Sequence, residues 1–208
     1  GTYNFGPVTE LVYQETVTLE FLGGYDANGN RNAETNVTTF TGNKEHQIFN
    51  FASEMQCKFD GINFVNGYAE KGGAIVASLG SYSFTDCNFS ENESVAGGGA
   101  ILFSAGGSAI FENCEFNNNE STPLSPDFDD KALGGTIYCN SKTTDLVLTF
   151  KGCVASDNTA YRGGFICSYG AKINIINSTL TGNESRRGGG VFYLSSAADL
   201  TVENCVFT

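Results

Sequence analysis

The sequence has no tryptophan, one methionine, one histidine and three prolines among its 208 residues. With His46 alone, a histidine-rich metal centre is excluded. A Ser-His-Asp triad would rest on that single residue, with no Gly-x-Ser-x-Gly word in the chain. His46 therefore reads as a surface-loop residue. Basic residues are scarce: 11 Lys and Arg face 23 Asp and Glu, for a formal charge of −12. This excludes nucleic acid and anionic membrane surfaces as partners, because both are held by clustered cations. No apolar run nears the ~18 residues of a membrane-spanning helix. No Gly-free amphipathic stretch of about ten residues offers an ordinary helix either. The 7 cysteines are too sparse for a disulfide-knotted miniprotein, and no Cys-x-x-Cys pair or Cys/His cluster is spaced for zinc. Nothing in these motifs calls for a cofactor. The chain starts at Gly1 without initiator Met, signal peptide or lipidation motif, and is expected to be a piece of a longer protein.

What is abundant is glycine (26) and phenylalanine (17), and they recur in order. One word is a glycine pair followed by a short apolar run: Gly72-Gly73-Ala74-Ile75, Gly98-Gly99-Ala100-Ile101, Gly134-Gly135-Thr136-Ile137, Gly163-Gly164-Phe165-Ile166 and Gly189-Gly190-Val191-Phe192. The other is Cys-x-Phe-x-x-Asn or a relative of it, opening at Cys87, Cys114, Cys153, Ser178 and Cys205. Those five positions lie 27, 39, 25 and 27 residues apart, and the 39 becomes 27 once a 12-residue insertion, 122–133, is set aside. A repeat of about 26 residues marks a stacked architecture. Leucine-rich repeats share that length, but their LxxLxLxxN word is missing.

Each unit holds three short β-type runs separated by Gly or Asn, for example 146–150, 153–155 and 165–167. That predicts an all-β chain in which each unit is one coil of a parallel β-helix, with equivalent residues stacked about 4.8 Å apart. Three residues before the Cys position stand Phe84, Phe111, Phe150, Ile175 and Val202. Five before it stand Tyr82, Ala109, Leu148, Ile173 and Leu200; two after it stand Phe89, Phe116, Ala155, Leu180 and Phe207. These columns are expected to fill the interior. Asn92, Asn119, Asn158 and Asn183 are expected to form a ladder at the next corner, in the left-handed conformation that Asn tolerates. The glycine pairs mark a third corner with no room for Cβ. The column Cys87, Cys114, Cys153 and Cys205 reads as small buried hydrophobes exchangeable for Ser, since in-register Cβ vectors do not favour a disulfide torsion. Residues 1–50 lack the repeat words and are expected to form a cap or an irregular first coil. The repeats occupy 51–208 and break off mid-unit at Thr208.

Phe-x-x-Asn (89–92 and 116–119) together with Gly-Gly-Ala-Ile (72–75 and 98–101) resembles the repeats of the chlamydial polymorphic outer-membrane proteins, over roughly residues 57–208. Similar repeats occur in secreted bacterial β-helix proteins. The resemblance implies a right-handed parallel β-helix, exported to a cell surface and working as an adhesin. About five to six coils are expected, and right-handed crossovers are the general preference. Ser178 in place of Cys and Ala155 in place of Phe depart from the pattern.

Candidate chemistry is sparse. Asp26, Asn28 and Asn30 alternate oxygen ligands as calcium loops do, but Arg31 stands where an EF-hand needs Gly, so the segment reads as a solvated Asn/Gly turn. Asp127, Asp129 and Asp130 form a second acidic loop, read as a surface excursion, with a recognition loop or weak calcium site as the functional alternative. A polysaccharide hydrolase needs two carboxylates across a groove, and a lyase needs a base with a charge neutraliser. Asp86, Glu112 and Glu203 share only approximate columns. Arg162, Arg186 and Arg187 suit an acidic sugar or simply offset acidic neighbours. No catalytic residue is therefore expected; a polysaccharide-active enzyme and a filament-forming subunit are the alternatives.

Binding is expected on the sheet after the glycine pairs. Taking Ile75, Ile101, Ile137, Ile166 and Phe192 as inward, period 2 turns Ala74 and Val76, Ala100 and Leu102, Thr136 and Tyr138, Phe165 and Cys167, and Val191 and Tyr193 outward. So apolar an outer stripe predicts a covered face, shielded by the 122–133 insertion or by a partner. Leu102, Tyr138, Phe165 and Tyr193 would make the contacts. The partner would be a protein or glycan on a surface, another domain of the same protein, or a second copy. The expected role is a non-catalytic extracellular or cell-surface module, adhesin or scaffold.

Overall fold

The computed structural model describes residues 1–4, 10–11, 17–33, 35–124, 131–141, 145–195 and 198–208. Their strands are two to six residues long and stack as parallel ladders in four sheets. One coil shows the plan: Gly80–Thr85 in the first sheet, Asn88–Ser90 in the second, Glu93–Ser94 in the third and Ile101–Phe103 in the fourth. Seven stacked strands in the first sheet correspond to six windings of the chain. The sequence predicts three strands per coil. The fourth, just after the ladder Asn, is only two polar residues long at Glu93–Ser94 and Glu120–Ser121, too short for any alternation to reveal it, and lengthens only at Thr159–Arg162 and Glu184–Gly188.

The interior columns form as expected. Phe21, Phe59, Phe84, Phe111 and Phe150 stack face to face, with ring centroids 4.8, 5.1, 4.8 and 4.8 Å apart. This is the rung spacing of the strands that carry them. Phe64, Phe89 and Phe116 form a second stack, edge-on to the first. Leu200, Val202 and Phe207 are partly exposed because they sit on the outermost rung described. At the other end, Val17–Leu22 and Thr38–Thr41 pair in register with Met55–Asp60 and Ile62–Val65. Val17–Leu22 and Thr38–Thr41 thus share the coil cross-section.

The asparagine ladder is continuous. Nδ2 of Asn92 donates to Oδ1 of Asn119 (2.9 Å), Asn119 to Asn158 (3.0 Å) and Asn158 to Asn183 (2.8 Å). Each Nδ2 also reaches a carbonyl of the preceding coil, those of Phe64, Phe89, Phe116 and Ala155. The left-handed conformation falls one residue earlier than expected, at Glu91, Asn118, Asp157 and Gly182 (φ 55°, 54°, 56° and 61°). That residue turns the chain, leaving the Asn side chain free to point inward. At the glycine corner each residue of the pair has its own reason. Gly98 has φ +67°, and a Cβ on Gly99 would lie 2.0 Å from the carbonyl oxygen of Gly135 in the next coil.

Phe165 does not point outward. Thr136 and Ile137 both donate their amides to its carbonyl, so the chain turns at this residue and period 2 does not extend back through it. Its ring is buried against Phe116 and Phe150, with centroids 5.4 and 5.5 Å away. Ala74, Ala100 and Thr136, expected on the outside, are fully buried for the same reason. The position is volume-matched within each coil. Phe64 goes with Ala74, Phe89 with Ala100, Phe116 with Thr136, and Leu180 with Val191, whereas the coil with Ala155 has Phe165. One large ring fills this part of the cross-section in four of these five coils, and a Leu-Val pair fills it in the fifth.

All seven cysteines are free. Cys87 donates its thiol to the carbonyl of Thr85 (3.2 Å), and Cys114 to those of Phe84 and Glu112 (both 3.4 Å). Ser178 substitutes because its hydroxyl makes the equivalent bond to Ile176 (2.9 Å). Burial pushes Cys57 and Cys167 up to about 12, so they stay protonated at neutral pH. Only Cys205 is partly exposed. Titration of the native protein at pH 8 with a thiol-reactive dye is therefore expected to label one cysteine quickly, and all seven only after unfolding in urea. Rapid labelling of two or more in the native state would contradict this packing.

Candidate binding surface

The outer face of the fourth sheet is built from the middle residue of each strand. Val76, Leu102, Tyr138, Cys167 and Tyr193 are in register across Ile75–Ala77, Ile101–Phe103, Ile137–Cys139, Ile166–Ser168 and Phe192–Leu194. They cluster with Leu133 and Tyr169 outside the main core. Leu133, the last residue of the insertion, and Tyr169 cover the middle of the stripe, so Leu102, Tyr138 and Cys167 are buried within the chain itself. Burial pushes the Tyr138 phenol up to about 12, and its hydroxyl donates to Asn140 Oδ1 (3.0 Å). Val76 and Tyr193, at the two ends, stay partly exposed. Of the four predicted contact residues, Leu102, Tyr138 and Tyr193 share this face, and Phe165 lies inside.

Two cavities adjoin the stripe along the coil axis. One of about 510 Å³ has Val76 and Leu102 in its wall, with His46, Gln47, Tyr68 and Glu70 around them. The next, about 260 Å³, is lined by Tyr138, Leu133, Lys131 and Asn140, and shares Glu70 and Lys71 with the first. Together they make a groove with an apolar wall and a rim of both charge signs. Sequence reasoning missed it because its walls come from different coils.

The other candidates lie elsewhere. Asp86 and Glu112 sit at the corner of the first and second sheets, where Asn113 Nδ2 donates to Asp86 (3.2 Å) and Lys151 pairs with Glu112 (3.0 Å). They are not brought together with Arg162, Arg186 and Arg187. The Asp26 carboxylate accepts the amides of Asn28 and Asn30 (both 2.8 Å) and the side chain of Asn30 (3.1 Å). These bonds, the Asn30 amide foremost, hold its pKa below the ordinary value and occupy both oxygens. Asp127, Asp129 and Asp130 lie outside the described residues. Among the described residues no three His, Cys, Asp or Glu converge as a metal site requires, and no helix is long and apolar enough to cross a membrane.

Four parallel sheets wound around two stacks of aromatic rings, with a lateral groove, define a β-solenoid of the parallel β-helix class. The chain belongs to the right handed beta helix region family, whose model matches residues 24–207. No curated protein and no solved structure matches the sequence.

Proposed function

We propose that this β-helix is a non-catalytic recognition module displayed at a cell surface, holding an extended protein or glycan along the groove of the fourth sheet. The observation that carries the reading is the pair of cavities, about 510 and 260 Å³, that share Glu70 and Lys71 in their linings beside an apolar wall. A concave surface with a few convergent polar groups is the usual form of a binding site. The resemblance of the repeats to surface adhesins supports the location. Val76→Asp, at a partly exposed position, combined with Glu70→Lys, at an exposed one, is expected to leave the melting temperature within about 2 °C. The same variant is expected to lower retention of protein-coated beads on host cells at least tenfold. Undiminished retention by the folded variant would overturn the reading.

Polysaccharide hydrolysis is the second reading, favoured by one observation. Glu120 and Glu184 line a third groove of about 390 Å³, with Thr159 on the rung between them. Two rungs span about 9.6 Å, near the upper limit for the carboxylate pair of an inverting hydrolase. Release of reducing ends that disappears in Glu184→Gln would establish that reading.

A further inference from the structure

A row of tyrosines runs along one end of the fourth-sheet stripe. Tyr169 stands two residues beyond Cys167, and Cys167 pairs with Tyr138 on one neighbouring strand and with Tyr193 on the other. Tyr169 is thus the diagonal neighbour of both, within the reach of aromatic side chains on one sheet face. Its ring meets that of Tyr138 at 6.0 Å between centroids and that of Tyr193 at 6.4 Å, edge to face in each case. Among the described residues these are the two contacts between tyrosine rings, in a chain with nine tyrosines.

The two contacts differ in access. Tyr138 is buried, and its hydroxyl is engaged by Asn140. Tyr169 and Tyr193 are both partly exposed. Their rings are nonetheless held in place: Tyr138 packs on Tyr169, and the Arg162 guanidinium lies 5.0 Å from the centre of the Tyr193 ring. Arg162 comes to this position at a bulge opposite Tyr161. Between Thr159–Arg162 and Glu184–Gly188, Ala160 pairs with Ser185 but Arg162 pairs with Gly188, so Tyr161 alone faces both Arg186 and Arg187. The pair also spans a joint without a covalent tie. Tyr169 follows Ile166–Ser168, and Tyr193 lies in Phe192–Leu194 of the next coil. All seven cysteines are free, so no disulfide links one coil to another.

We propose that Tyr169 and Tyr193 form an oxidative cross-linking site, joined as dityrosine across two consecutive coils by a haem peroxidase and hydrogen peroxide. The peroxidase takes one phenolic hydrogen atom from each ring. The two tyrosyl radicals couple ortho carbon to ortho carbon, and the ortho hydrogens move to the phenolic oxygens as the rings regain aromaticity. Two hydrogen atoms leave the protein, and hydrogen peroxide accepts them to become two waters. Two partners held side by side on one scaffold couple in preference to partners that must meet by diffusion. The proposal goes beyond the recognition reading and does not depend on it, since neither tyrosine lines the two cavities of the groove.

Treatment of the dilute protein with a haem peroxidase and hydrogen peroxide tests this. Dityrosine fluorescence is expected in the monomer band of a denaturing gel. Trypsin separates the candidates cleanly, because peptide 163–172 holds Tyr169 alone, 188–208 holds Tyr193 alone and 132–142 holds Tyr138 alone. Mass spectrometry is expected to find 163–172 joined to 188–208, lighter by two hydrogens than their sum; this map needs no variant. Tyr169→Phe and Tyr193→Phe, which keep the rings, are each expected to lower the monomer fluorescence at least tenfold, whereas Tyr25→Phe, at an exposed tyrosine, leaves it unchanged. The cross-linked monomer is expected to unfold at higher urea than the untreated protein, because the bond closes a loop in the unfolded chain. Dityrosine confined to covalent dimers, a map that joins 163–172 to 132–142 instead, or fluorescence that persists in Tyr193→Phe would each overturn the site. An unchanged urea midpoint would overturn the tie between coils.

Discussion

Phe165→Ala is expected to lower the unfolding free energy by about 3–5 kcal/mol, and adding Ala155→Phe to recover most of that loss. Both residues line a small internal void beside Phe150 and Leu180, so the ring already fills imperfectly the space that a Phe occupies in the coils of Phe64, Phe89 and Phe116. Removing it leaves two small side chains in one coil and a cavity that rigid sheets cannot close. Ala155→Phe alone places two rings in that space, an overpacking that costs about 1–3 kcal/mol. The pair should therefore be strongly non-additive, with a coupling of at least about 1 kcal/mol. Urea unfolding of the four proteins measures it. Additive single effects would show that coil volume is not what pairs the two positions. Tyr193→Ser, on the outer face, is the contrast, expected to cost far less than Phe165→Ala.

Asn119→Leu should be comparably damaging although it nearly preserves volume. The Asn119 carbonyl oxygen accepts both the backbone amide and Nδ2 of Asn92, and its own Nδ2 serves Phe89 and Asn158. The ladder is buried, so water cannot replace these bonds. Two donors on Asn92 and the carbonyl of Phe89 are left unsatisfied, at about 1–3 kcal/mol each, giving a loss of roughly 3–6 kcal/mol. Hydrogen exchange at the Asn92 amide should accelerate with it. A loss below about 1 kcal/mol would mean that the corners are held by the backbone ladders alone.

The interior was legible because stacking places like residues on like residues. Phe84, Phe111 and Phe150 announce one column in the sequence, and the register confirms it. Orientation was legible only within a strand. At Phe165 the chain bends, and alternation says nothing across a bend. The bulge at Tyr161 did leave a trace: Asn158 to Gly163 is five residues, whereas Asn92 to Gly98 and Asn183 to Gly189 are six. That missing residue has meaning only once the coils are aligned in space. The grooves left none, since Glu70, Lys71 and Tyr138 meet through stacking and not through spacing.

The asparagine ladder gives the solenoid a polarity along its axis. From Asn92 to Asn158 every side-chain amide points its N–H toward the following coil, so the carboxamide dipoles add head to tail as in a helix laid on its side. Asn183 keeps the bond to the preceding coil, at the carbonyl of Ala155. Each amide in such a row polarises its neighbour, so a coil is recognised by whether it offers an oxygen at that one point. A coil arriving one residue out of step presents none and leaves buried donors bare. The column thus acts as a vector gauge, fixing both the direction in which coils are added and the register in which each one settles.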